Sequence, residues 1–218
     1  LEGELVRPER EARRLSALAQ LDQHSRLVLL GDPGSGKSTF VDFVVMCLAG
    51  EALGSEDANL ALLTAPLPAE EADRDSPDGE DKQAPQPWTQ GPLLPVRIIL
   101  RDFAARGLPP LGQCATADCL WKFIVADLES GSLGDYAPLL RQQLLEEGGL
   151  LLLDGLDEVP TTDRRREQIK QAVEDFCANF RRCRVLVTSR TYAYQKLDWR
   201  LSDFAEAVLA PFSPAQIR

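Results

Sequence analysis

Two kinds of apolar pattern alternate along this chain. Short unbroken apolar runs, too brief for a stable helix, occur at Arg26–Leu30, Leu94–Arg101, Gly149–Asp154, Arg184–Thr188 and Ala207–Leu209. Each is bounded by glycine, proline or polar residues and reads as a strand covered on both faces. Between them, apolar residues recur every three or four positions. Residues 8–22 place Leu15, Leu18, Ala19 and Leu21 on one face behind Pro8, and residues 37–49 do the same with Phe40, Val41, Val44, Val45 and Leu48. Residues 116–129, begun by Thr116, align Leu120, Phe123, Ile124 and Leu128; 136–147 follow; 163–181 align Ile169, Val173, Phe176 and Phe180. These stretches predict helices. Apolar strands alternating with amphipathic helices predict an α/β fold, a parallel sheet with helices on both faces.

The pattern lapses at 51–92, which is rich in Ala, Pro, Asp and Glu. A stretch so poor in large apolar groups buries too little to offset its ordering entropy. It reads as an acidic, Pro-rich, partly disordered insertion between two core elements. Composition adds one correction to the picture of charge. The 218 residues carry a formal −10, but 51–82 alone hold ten acids against two bases, so the core is close to neutral. No basic footprint for nucleic acid is visible, and Arg164-Arg165-Arg166 reads as a solvated helix face. Five cysteines without a CxxC, and a single histidine, His24, argue against a zinc site, a disulfide framework or a histidine-based triad. Free thiols suit a cytoplasmic setting. No apolar run reaches membrane-spanning length, so no membrane is expected. The chain opens at Leu1 and stops at Arg218 within what reads as a starting helix, so it is expected to be a piece of a longer protein.

Three motifs carry chemistry. Gly31-Asp32-Pro33-Gly34-Ser35-Gly36-Lys37-Ser38 fits GxxxxGK[ST], preceded by an apolar strand and followed by a helix. The glycines let backbone N–H groups curl around an anion, and the helix N-terminus adds positive dipole. Lys37 would neutralise the β- and γ-phosphates, the Ser38 hydroxyl would bind Mg²⁺, and Thr39 would hold the α-phosphate. The second motif is Leu150–Asp154 followed by Gly155-Leu156-Asp157-Glu158. A buried strand ending in Asp154 brings a carboxylate to the sheet edge beside the loop, where it can hold the same Mg²⁺. Asp157 and Glu158 add carboxylates where a water would attack, with Glu158 the preferred general base. In the third, Thr188-Ser189-Arg190, the guanidinium of Arg190 could read a γ-phosphate. Arg101-Asp102 also follows a strand end and reads more readily as a structural ion pair.

Together these motifs resemble the NACHT family of STAND P-loop NTPases. The distinguishing part is Asp154-Gly155-Leu156-Asp157-Glu158, a small residue after the magnesium aspartate and acids two and three places further on. The resemblance implies an ASCE-type three-layer sandwich with a five-stranded parallel sheet in the order 5-1-4-3-2. On that basis 1–25 is a helix leading into the core, 26–210 the NTPase domain with 51–92 inserted, and 211–218 the start of a connection to a following helical domain. The family implies ATP and ADP as ligands with Mg²⁺, slow hydrolysis, and a signalling or defence switch that controls self-association of a larger protein bearing effector and sensor domains. Two other readings stay open: a P-loop kinase of a small molecule, and a nucleotide-binding scaffold without hydrolysis. The placement of Gly155 argues against an AAA+ motor.

Overall fold

In the computed structural model of the protein, which describes residues 16–67, 84–161, 164–196 and 200–210, the five apolar runs become strands β1 (Arg26–Leu30), β2 (Pro95–Ile99), β3 (Leu150–Asp154), β4 (Arg184–Ser189) and β5 (Ala205–Val208). All pairings are parallel and the order is β2-β3-β4-β1-β5, the expected order read from its other edge. The helices are α1 (Ala17–Gln23), α2 (Lys37–Ala52), α3 (Leu60–Leu63), α4 (Leu100–Arg106), α5 (Ala117–Ser130), α6 (Ala137–Glu146), α7 (Arg165–Asn179) and α8 (Thr191–Gln195). The first half of the predicted helix 8–22 and the connection 211–218 lie outside the described residues.

The strands are mainly apolar because alternate residues enter two different cores. On one face Leu27, Leu29, Leu150, Leu152 and Leu186 pack with Leu18 and Leu21 of α1 and Val41, Val44 and Leu48 of α2. On the other, Val28, Leu30, Leu151, Leu153, Val185 and Val187 pack with Phe103 of α4, Leu120 and Ile124 of α5, and Ile169, Val173 and Phe176 of α7. The result is helix, sheet, helix. Each fully buried Leu or Val contributes on the order of 1.5–3 kcal/mol, so neither face could be left uncovered.

Several expectations need correcting. The second strand ends at Ile99, and Leu100 begins α4 directly, because Leu100, Phe103 and Ala104 are all buried and sit at helical spacing. The arms of the acidic segment are folded. Leu63 of α3 is buried with the α2 side of the core, and Trp88 packs against it. Gln86 donates its backbone N–H to Thr64 O and its side-chain amide to Ala65 O, joining one arm to the other. Thr89 donates its backbone N–H and its hydroxyl to the Asp22 carboxylate, and Gln90 adds a third bond. Burial works to raise the Asp22 pKa, but these bonds and the nearby Arg184 charge win and lower it. The centre of the segment, 68–83, lies outside the described residues. The arginine run is not all solvated face either. Arg164 is exposed, but Arg165 donates to Pro109 O and Arg166 to Val159 O and Asp157 O.

Candidate phosphate-binding site

Register brings the chemistry to one edge. Leu30 lies opposite Ser189, and Ile99 opposite Asp154, so β1 to β4 end together at their carboxyl ends. Gly31 leaves β1 there, donating its N–H to Ser189 O. A side chain on Gly31 would meet Ser35 Oγ at 2.4 Å, so the Ser35 hydroxyl would have to turn away from beneath the curl. Gly34 and Gly36 hold φ of 77° and 86°, the left-handed turns that swing the amides inward. Asp32 and Pro33 are exposed on the outer rim, and Ser38 and Thr39 are exposed at the start of α2. The first turn of α2 carries no acid and no side-chain cap, so its N–H groups keep their positive dipole for an anion.

Lys37 lies across the loop. Its Nζ donates to Gly31 O at 2.6 Å, Asp32 O at 3.0 Å and Ser35 Oγ at 3.3 Å. Burial lowers the pKa of this ammonium and the Arg190 charge acts in the same direction, while Asp157, Asp32 and Asp154 oppose them.

Asp154 is the hub of the facing side. Its Oδ1 accepts from Ser38 Oγ at 3.3 Å and from Thr188 Oγ1 at 2.6 Å. Thr188 sits on β4, between β1 and β3, and its Oγ1 also accepts the Gly155 N–H at 2.9 Å. The other oxygen, Oδ2, accepts from Arg97 Nη2 at 3.0 Å. Hydroxyl and carboxylate oxygens side by side are a hard-donor set suited to Mg²⁺, so the residues fit the ion that the motif implies.

Beyond Asp154 the chain turns at Gly155, φ 83°, and Leu156 plugs into the core. That anchor directs Asp157 and Glu158 back to the sheet edge as a single 3₁₀ turn. The two acids differ. Asp157, 9% exposed at its side chain, accepts from Arg190 twice, from the backbone N–H at 3.0 Å and from Nε at 2.9 Å. Glu158, 46% exposed at its side chain, pairs with Arg101 at 3.3 Å. Arg101 also reaches Asp102 at 3.6 Å, so the structural pair is present but shared. Arg190 caps α8, its carbonyl accepting the N–H of the buried Tyr194.

Thus the structure brings Lys37, Ser38, Asp154, Asp157, Glu158 and Arg190 to one edge. Sequence reasoning missed Arg97, Asp42 and the Arg166 brace. The signal for Arg97 was available: a lone arginine within the apolar run Pro95–Ile99 must find a partner.

A family model described as the NACHT domain matches residues 25–218. A search of curated proteins returned no match. The chain belongs to the NACHT family and is a nucleotide-binding P-loop NTPase module.

Proposed function

We propose that this NACHT domain binds ATP and ADP with Mg²⁺, hydrolyses ATP slowly, and uses the exchange to control self-association of a larger cytosolic protein in signalling or defence. The observation that carries the reading is the meeting of Ser38, at the head of the loop helix, with Asp154, at the end of β3. Those two residues would hold the ion, which supplies positive charge to the β- and γ-phosphates. The backbone amides of 34–38 bind the phosphates, and Lys37 exchanges its carbonyl partners for phosphate oxygens. Thr39 borders the α-phosphate. Glu158, the more accessible acid, accepts the proton of an attacking water. Asp157 holds Arg190 close enough to meet the γ-phosphate. The five free thiols support a reducing compartment.

Arg165 and Arg166 are bound to backbone carbonyls, which removes them as the mobile lid a small-molecule kinase would need. A scaffold without hydrolysis draws on one observation, the pairing of both acids with arginines. Nucleotide binding and turnover by purified variants separate these readings. Lys37→Ala should abolish binding. Glu158→Gln should keep binding and stop turnover. Equal turnover in the Glu158→Gln protein would remove Glu158 as the base, and wild-type binding without turnover would favour the scaffold.

A further inference from the structure

Arg97 is the one charged residue of β2, and its fork is divided. Nη1 pairs with Asp42 Oδ1 at 2.6 Å, and Nη2 with Asp154 Oδ2 at 3.0 Å. Its side chain is 32% exposed, and that of Asp154 9%. Asp42 lies one helical turn beyond Ser38 on α2, so one guanidinium ties β2, the metal-side carboxylate on β3 and the phosphate-loop helix together. We propose that Arg97 is a positioning residue that keeps Oδ2 of Asp154 away from a bound divalent cation, leaving only the oxygen that faces Ser38 and Thr188 to act on it. The proposal rests on the reading of Ser38 and Asp154 as the Mg²⁺ site.

The physical case has three parts. A carboxylate can offer a cation one oxygen or two, and the second is spoken for here by the Arg97 guanidinium. Thr188 fixes the first oxygen from the neighbouring strand, so the plane of the carboxylate is set from both sides. The guanidinium also offsets the carboxylate charge and so moderates the attraction for the ion. Without Arg97, Oδ2 is free to join Oδ1 on the metal, and the site gains a net negative charge. A unit charge a few ångströms from a divalent ion in a water-like dielectric changes its affinity by about tenfold.

The readout is the metal coupling factor, the Kd for ATP in EDTA divided by the Kd in saturating Mg²⁺, measured by calorimetry on the purified protein. By linkage it equals the factor by which the protein tightens the ion on its bound ATP relative to ATP free in solution. Arg97→Met should raise it by about tenfold. In the Mn²⁺–ADP complex, the variant should also show fewer coordinated waters by ¹⁷O broadening of the Mn²⁺ resonance. Arg97→Lys, which can satisfy only one carboxylate, should lie between. Asp42→Asn removes the exposed partner and should move the factor by less than about twofold. A factor that is unchanged or lower in Arg97→Met, with the same Mn²⁺ spectrum, would mean a purely structural ion pair and overturn the proposal. If Arg97→Met does not fold, an unchanged factor in Arg97→Lys overturns it equally. A wild-type protein that ignores Mg²⁺ would refute the metal reading itself, which is visible before any variant is compared.

Discussion

Thr188→Val removes one hydroxyl and replaces it with a methyl of nearly the same size. Thr188 is 1% exposed, so the change leaves no cavity and brings no solvent. It does remove the 2.6 Å bond to Asp154 Oδ1 and the acceptor of the Gly155 N–H at 2.9 Å. A hydrogen bond to a charged group contributes about 1.5–3 kcal/mol, and an orphaned buried donor costs about 1–3 kcal/mol. Gly155 is half-buried, so the lower half of the second range applies and the expected loss is roughly 3 kcal/mol. Thr188→Ser keeps both bonds and gives up one methyl, about 1 kcal/mol. Urea unfolding should therefore rank wild type above Ser above Val, with m unchanged and the two variants about 2 kcal/mol apart. If Val is as stable as Ser, the hydroxyl does not hold Asp154, and the account of how β4 sets the carboxylate fails.

Two further outcomes are expected. Gly155→Ala places a side chain at φ 83° with its Cβ 3.3 Å from Glu158 Cδ; it should cost about 1–2 kcal/mol in a thermal melt and, by shifting Glu158, lower turnover more than nucleotide affinity. Cys177 and Cys183 have pKa values pushed up by burial from 9.0 to about 11. The unfolded chain therefore loses these protons first, so stability should be intact below pH 9.0 and fall as pH rises toward 11; urea midpoints on either side of that window check the sign, and mass spectrometry after a short thiol-reagent pulse should find exposed Cys114 labelled before either.

Much of the fold was legible because each strand is an apolar run and each long helix a periodic one, and these signals depend only on neighbours in sequence. What was missed depends on tertiary partners. Leu100 and Arg101 look like the tail of a strand until the sheet ends at Ile99 and Phe103 finds the α5 side of the core. The arms of the acidic segment look solvated because their anchors are few. Leu63, Trp88 and the bonds of Thr89 and Gln90 to Asp22 hold them, and none of these follows a period. That Lys37, Ser38 and Asp154 would converge at one sheet edge was legible, because each stands in a contiguous motif that follows or ends a strand. The lone charge of Arg97 in an apolar run signalled that a partner was needed, but which residues Arg97 and Arg166 would meet was not legible, since their bonds span 57 and 9 residues respectively.

The same partners decide how alike two adjacent acids can be. Asp157 and Glu158 are equivalent in a motif, but Leu156 fixes the turn that separates them. Asp157 faces inward, where Arg190 takes both its oxygens and Arg166 holds its carbonyl. A carboxylate so engaged is a good tether. Glu158 faces outward against the half-exposed Arg101, and an exposed pair of this kind opens at little cost. Under the proposed reading, the division of labour between base and tether comes from what lies opposite each acid, Arg101 on α4, Arg166 on α7 and Arg190 between β4 and α8, not from the acids themselves. In the same proposed reading Arg190 would have two competing anions, the Asp157 carboxylate and an incoming phosphate, at the edge where the phosphate loop and the acidic turn meet.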